Sequence, residues 1–422
     1  MGSVIVAPAI AYAVAFVATA GVMARPFRWP EYVFALAGAA ALLVLRVLSP
    51  AEAWGAVVKG TDVYLFLTGM MLLSEVARRE GLFDWAASRA AALAQGDPRR
   101  LFALVYGVGV LVTVFLSNDA TAVVLTPAVY AAARAAKAPP TPYLYACAFV
   151  ANAASFVLPI SNPANLVMFG DRMPPLGAWL ALFAAPSLAA ILLTYGAMRF
   201  VFAGKLGEKL GQFAHRPEQT PLSFGGRIAC AGLCAAALVL LYASARGWNL
   251  GLPTLVVGLA VAAVALTAAR AAPGPVLREI SWGVLPLVAG LFVLVEGLAR
   301  AGLVAHLAEA LQTGQAVAPR ETALVAGLLA GFGANVVNNL PLGLIAASAA
   351  HQAAASPLTI GALLIGVDLG PNLSVTGSLA TLLWLVAIRR EGEHVGALAF
   401  LKVGAVVMTP SLIASLAALI LS

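Results

Sequence analysis

Two apolar segments of this chain are interrupted in the same way, one in each half, and no other feature restricts the fold so sharply. The first runs Ala151-Asn152-Ala153-Ala154-Ser155, then Phe156 to Ile160, then Ser161-Asn162-Pro163-Ala164-Asn165. The second runs Gly366-Val367-Asp368-Leu369-Gly370-Pro371-Asn372, then Leu373-Ser374-Val375, then Thr376-Gly377-Ser378-Leu379-Ala380-Thr381. Asn152 stands ten residues before Asn162, and Asp368 ten before Ser378. Small, polar, Pro and Gly residues at this depth free backbone groups that hydrocarbon cannot satisfy, so such backbone must line protein or a water-filled cavity. Matched interruptions in two halves mark the binding site of a secondary transporter.

The surroundings are bilayer-like. Of 422 residues, 62% are hydrophobic and 10% charged, against about 25% charged in a soluble domain. Apolar runs near the ~20 residues that span a bilayer recur from end to end. Residues 1–24 have an apolar centre without a basic leader and read as a first spanning helix. The net charge of +7 then reports orientation, not nucleic-acid binding. Three cysteines (Cys147, Cys230, Cys234) form no disulfide framework. No phosphate-binding loop, HExxH pattern or other catalytic signature occurs, so neither an enzyme, a metal centre nor a cofactor is expected. Energy must come from an ion gradient or a partner protein.

The order of elements repeats. Apolar runs at 3–23, 31–48 and 60–77 precede an amphipathic stretch 82–95. A pair at 101–117 and 119–137 follows, then the broken segment 142–170 and a long helix 176–203. The second series is 228–245, 252–269, 282–299, amphipathic 303–312, the pair 321–337 and 339–354, the broken segment 357–388, and 395–421. Gly69, Glu75, Arg79, Gly81 and Leu82 reappear as Gly290, Glu296, Arg300, Gly302 and Leu303, all offset by 221. Ala103-Leu104-Val105 and Gly107 match Ala323-Leu324-Val325 and Gly327 one position earlier, which sets Asn118-Asp119 over Asn338-Asn339. The expected fold is an all-α integral membrane protein of about ten spans plus two re-entrant hairpins and two broken helices. Residues 1–205 form one repeat, 206–226 a cytoplasmic connector, and 227–422 a second, inverted repeat. With this topology seventeen Lys and Arg residues fall on one face and Arg46, Lys59, Arg172, Arg246, Arg300 and Arg320 on the other. The richer face is cytoplasmic by the positive-inside rule.

Charge at bilayer depth marks ion or substrate paths by default. Asp119 follows Ser117-Asn118 at a helix start, where a carboxylate also serves as a cap. Asp368 lies between apolar Ile365-Gly366-Val367 and a Gly-Pro break, and is the foremost candidate for a reversible proton or cation site. Asn118, Asn152, Ser161, Asn162, Asn338, Asn339, Thr376, Gly377 and Ser378 are the candidates for substrate contact. Equally, they satisfy loose backbone, as do Asn165 and Thr381. Glu75 and Glu296 are expected to pair with Arg79 and Arg300 at i,i+4. Cys230 and Cys234, four apart on one helix, read as small hydrophobes rather than as ligands.

These motifs resemble the arsenite efflux permeases (ArsB type) of the ion transporter superfamily. The residues that carry the likeness are Ser117-Asn118-Asp119-Ala120 running to Leu125-Thr126-Pro127, the first broken segment, and Val337-Asn338-Asn339-Leu340-Pro341. The most specific block is Asp368-Leu369-Gly370-Pro371 followed by Gly377-Ser378-Leu379-Ala380-Thr381-Leu382-Leu383-Trp384. The likeness spans essentially the whole chain, and Asn162-Pro163-Ala164-Asn165 departs from it. It implies a bacterial inner-membrane exporter of arsenite and antimonite driven by proton entry, with some relatives docking a cytosolic ATPase. It also implies a mobile core moving against a scaffold. The alternative on the same fold is a sodium/proton antiporter or organic-anion carrier. No Arg or Lys stands among the polar candidates, which counts against a di- or tricarboxylate substrate.

Overall fold

The computed structural model describes residues 2–170, 173–207 and 221–421. Most of the expected connector 206–226 therefore lies outside the described residues. Helices and turns account for all the regular structure among the described residues. The first series is α1 (Gly2–Ala24), α2 (Glu31–Val44), α3 (Pro50–Lys59), α4 (Thr61–Arg79), α5 (Leu82–Ala94), α6 (Pro98–Phe115), α7 (Asn118–Ala120), α8 (Thr126–Ala135), α9 (Thr141–Ala153), α10 (Pro163–Phe169) and α11 (Leu176–Val201). The second is α12 (Phe224–Ala245), α13 (Gly251–Ala268), α14 (Gly274–Glu279), α15 (Val284–Arg300), α16 (Leu303–Val317), α17 (Pro319–Val337), α18 (Asn339–Gln352), α19 (Pro357–Leu369), α20 (Leu379–Arg390) and α21 (Ala397–Leu421).

Five helices (α6, α11, α12, α13, α21) are long and apolar enough to cross a membrane, and the bent pairs α3–α4 (48°) and α14–α15 (41°) bring the number to seven. Setting α6 aside as a hairpin arm and adding α1, α2 and the two broken segments gives ten spans. The short helices α3 and α14 ahead of each third span were not expected. For α3 the signal was present: Ser49 accepts from Glu52 N while Glu52 accepts from Ser49 N, with Pro50 at the first helical position.

The halves interlock by exchanging partners. Helix α2 packs on α15, α13 on α4, and the two last helices α11 and α21 on each other. Small residues permit the closest approach, as membrane packing requires. A Cβ on Gly366 would meet Gly327 O, and one on Gly370 the backbone of Gly331, so α19 lies directly against α17.

The helix-end ion pairs differ from expectation. Glu75 is buried and binds Arg78, not Arg79, at 2.7 and 2.8 Å. Lys59 takes Glu296 at 2.7 Å, and Arg300 pairs with Glu52. The bend between α3 and α4 brings Lys59 and Glu52 to α15, and a partner across that contact displaces the partner on the same helix.

Candidate functional site

Both pairs of helices meant as hairpins turn at polar tips. After α6, Ser117 Oγ accepts from Ala120 N at 3.1 Å, and α7 passes through a π turn (Thr121–Leu125) into α8. Thr113 and Thr121 hydroxyls, 2.8 Å apart, tie the arms together. After α17, Asn338 adopts φ 71 and ψ 152, conformations rare outside glycine. Its side chain supplies the compensation: Oδ1 accepts from Leu340 N at 3.4 Å, and Nδ2 donates to Thr376 O at 3.0 Å.

The broken helices restart in the same manner. Asn162 caps α10 by accepting from Ala164 N at 3.0 Å, and Ser378 caps α20 by accepting from Thr381 N at 3.0 Å. Side chains gather the carbonyls released by each break. Asn165 Nδ2 reaches Ser155 O, Leu158 O and Pro159 O, and Trp179 Nε1 lies 3.2 Å from Phe156 O and Val157 O. Asn335 Nδ2 donates to Gly331 O and Gly370 O while its Oδ1 accepts from Ser374.

Four helix starts thereby converge. Asn118 and Asp119, Asn162 and Pro163, Asn339 and Leu340, and Leu379 and Ala380 line one cleft of about 30 Å³, closed on the other side by Leu67 of α4 and by Val284 and Val288 of α15. Each start brings a positive dipole end, although most of its first N–H groups are taken: Asp119 N by Asn118 Oδ1, Ala120 N by Ser117 Oγ, Ala164 N by Asn162 Oδ1, Asn339 N by Gly377 O and Leu340 N by Asn338 Oδ1. The lining holds amides and one carboxylate, and no Lys or Arg is buried anywhere among the described residues. Dipole ends and the side-chain amides of Asn118, Asn162 and Asn339 are the neutral partners such a pocket offers to acceptor oxygens.

The second aspartate lies behind that wall. Asp368 is fully buried, its Oδ1 accepting from Asn162 Nδ2 at 2.9 Å and its Oδ2 lying 2.7 Å from Ser155 Oγ. Ser155 Oγ is also 2.7 Å from Asn152 O, so one hydroxyl stands between the two broken segments. Asn152 Nδ2 donates to Asn372 Oδ1 at 2.9 Å, and Asn372 Nδ2 to Phe149 O at 3.0 Å. Asn152 and Asp368 are thus interior neighbours.

The expected contact residues divide. Asn118, Asp119, Asn162 and Asn339 share the cleft. Asn152 and Asp368 sit in the packed interface beyond it, and Ser161 turns to Val114 O at 3.0 Å. Asn338 and the carbonyls of Thr376 and Gly377 sew the second tip to the second broken segment, Asn339 N donating to Gly377 O at 2.8 Å. Ser378 is a cap. Ser155, Asn335, Asn372 and Ser374 were missed as bonding partners. The first, third and fourth stand inside the broken motifs, whereas Asn335 had only its place one turn before Asn338 to signal it. Cys147 is buried, Cys230 half-buried and Cys234 exposed, none at the cleft. Among the described residues no group of three His, Cys, Asp or Glu could hold a metal ion.

A profile of the family described as citrate transporter (CitMHS) matches residues 13–388. The arsenical pump membrane protein of Escherichia coli K12 is 26% identical over 398 residues, 91% of this chain and 92% of that protein. Its counterpart in Yersinia enterocolitica is 27% identical over 384 residues, 87% of each. An uncharacterized transporter of Mycobacterium tuberculosis is 27% identical over 403 residues, 90% of each. The crystal structure of the Alcanivorax borkumensis YdaH transporter matches with TM-score 0.57 and 16% identity, covering 87% of this chain and 86% of that one. At that identity the likeness is one of fold.

Proposed function

Because the chain belongs to the CitMHS citrate-transporter family and is a multi-pass membrane transporter, we propose that it exports trivalent arsenite, and antimonite with it, in exchange for protons. The observation that carries this reading is the cleft where four helix starts meet amide side chains and no cation. Arsenite at neutral pH is an uncharged trihydroxy species, whose oxygens accept from N–H groups and whose hydroxyls donate to amide oxygens. A multiply charged carboxylate brought to bilayer depth would need compensating positive charge beyond helix dipoles. The relatives named as arsenical pumps support the same substrate.

Asp119 at the cleft and Asp368 behind Asn162 are the proton carriers in this scheme, and Asn118, Asn162 and Asn339 the substrate contacts. A proton enters from outside onto one aspartate, and the core of hairpins and broken helices turns as a rigid body against α4 and α15. Arsenite displaces the proton inside, and the loaded core returns. The two halves are inverted repeats, 1–205 and 227–422, in the bacterial inner membrane. Any cytosolic ATPase would dock on the cytoplasmic face.

A second reading is carriage of an organic anion, favoured by the family's description and by the four helix dipoles. Everted vesicles holding this chain separate the two. Proton-driven accumulation of arsenite, absent for citrate, supports export of the metalloid. Accumulation of citrate without arsenite, or a sodium-dependent pH change alone, overturns it.

A further inference from the structure

Beyond the transport cleft, α16, α17 and α18 enclose a cavity of about 450 Å³, within the ~300–1,000 Å³ range of ligand sites. Its walls include Leu311, Val325, Leu329, Ile345, Ala346 and Ala349, almost wholly apolar. Val325 and Leu329 are themselves exposed, so the cavity opens sideways where the hydrocarbon of the bilayer meets α17. At one end stand Glu321 and Thr322, on the first turn of α17 beside Arg320. The first half is built differently at the matching place. In the register that sets Asn118-Asp119 over Asn338-Asn339, Thr322 and Ala326 correspond to Phe102 and Tyr106, which are buried in a stacked pair 6.3 Å apart. There those rings turn to Tyr143 of α9 and Tyr195 of α11, whereas in the second half the same face of α17 brings small side chains to the cavity.

We infer that this cavity is a binding site for one acyl chain of an amine-headed phospholipid, entering from the leaflet that meets Arg320 and Glu321. An apolar cavity of this size does not retain water and accepts apolar ligands. Acyl chains are the apolar species present at its mouth. The adjacent Arg320 and Glu321 match the phosphate and ammonium of a zwitterionic headgroup in sign. The chain lies between the amphipathic α16 and both arms of the second hairpin, whose tip carries Asn338 and Asn339. Its occupancy therefore sets how closely that hairpin packs against α16.

The full chain, purified in mild detergent and exposed to vesicles of phosphatidylethanolamine or phosphatidylglycerol, is examined by native mass spectrometry. One phosphatidylethanolamine is expected to remain per chain, with a rise in Tm. Ala346→Phe and Ala326→Phe each put a ring into the space and are expected to lower occupancy roughly tenfold and to abolish the Tm rise. Glu321→Gln is expected to keep the lipid and lose the preference for the amine headgroup. Two independent filling variants, each checked for helicity by circular dichroism, guard against misfolding of one. Retention by the filled variants equal to the parent chain, or no lipid above a detergent-only control, would overturn the site. Equal retention of phosphatidylglycerol by the parent chain overturns the headgroup assignment.

Discussion

Asn162 donates its amide to the Asp368 carboxylate across 2.9 Å, joining residues 206 positions apart in the sequence. The same Asn162 caps α10 and lines the cleft. A side chain that faces the pocket with one edge and a buried carboxylate with another is placed to couple them. The hydrogen-bond partners of Asp368, Asn162 and Ser155, are neutral, so no fixed cation holds the carboxylate ionised.

Asp368→Asn is the first test of that coupling. An asparagine at 368 accepts from Asn162 through its Oδ1 and donates to Ser155 through its Nδ2, so both polar contacts survive. The variant is expected to express and fold within ~1 kcal/mol of the parent. Proton-driven arsenite accumulation in everted vesicles is expected to fall to background. Undiminished accumulation would remove Asp368 from the proton path.

Asn162→Ala removes two things together. Loss of the cap costs ~1 kcal/mol, and loss of a donor to a buried carboxylate ~1.5–3 kcal/mol. Asn162→Ser restores the cap and leaves the carboxylate without its amide. The expected pattern in detergent melts is a large loss for Ala and a smaller one for Ser. Transport is expected to fail in both. Transport by the Ser variant at the parent's rate would reduce Asn162 to a cap.

How far these relationships could be read beforehand depends on where the partner lies. The helix order, both breaks and the polar tips follow from periodicity along one chain, because Pro, Gly and Asn leave the same mark wherever they fall. Pairings across elements leave no such mark. Spacing alone pairs Glu75 with Arg79, yet Arg78 holds it, and Glu296 turns to Lys59 on another helix. Asn372 stood in the second motif as one more polar residue, and only the packing of α9 on that segment makes it the partner of Asn152. Whether an asparagine caps, collects carbonyls or faces the cleft is decided by an orientation that spacing does not encode.

Gly370 is expected to be intolerant of side chains. A Cβ there would run into the backbone of Gly331, which has no flexible end to move aside. Gly370→Ala should destabilise by ~1–3 kcal/mol through overpacking, read as a lowered melting temperature in detergent. Gly396→Ala, where a Cβ meets nothing within 4 Å, is the control and should melt with the parent. Equal melting of all three would mean that α19 does not lie so close to α17.

The thiols are expected to be dispensable. Trivalent arsenic binds thiolates, but Cys234 is exposed on α12 and Cys147 is buried in an apolar helix, neither at the cleft. Replacing Cys230 and Cys234 by Ser and Cys147 by Ala, which leaves no unpaired hydroxyl in the interior, should keep arsenite accumulation within about twofold of the parent chain. A complete loss with normal expression would bring thiolate ligation back.

Asn338→Gly separates backbone strain from side-chain work at the second hairpin tip. At φ 71 and ψ 152 a non-glycine residue bears ~1–3 kcal/mol of strain, which glycine relieves. Glycine also deletes the amide that accepts from Leu340 N and donates to Thr376 O, a loss of ~1 kcal/mol for each bond. The two effects nearly cancel, so the melting temperature should change little. Transport has no such compensation, because the tip would no longer be tied to the segment carrying Gly377 and Ser378, and Asn339 beside it would lose its fixed position at the cleft. A slow but stable variant is expected, assayed by arsenite accumulation beside a melt of the same preparation. Full transport by Asn338→Gly would mean that the amide only repairs the backbone it sits on.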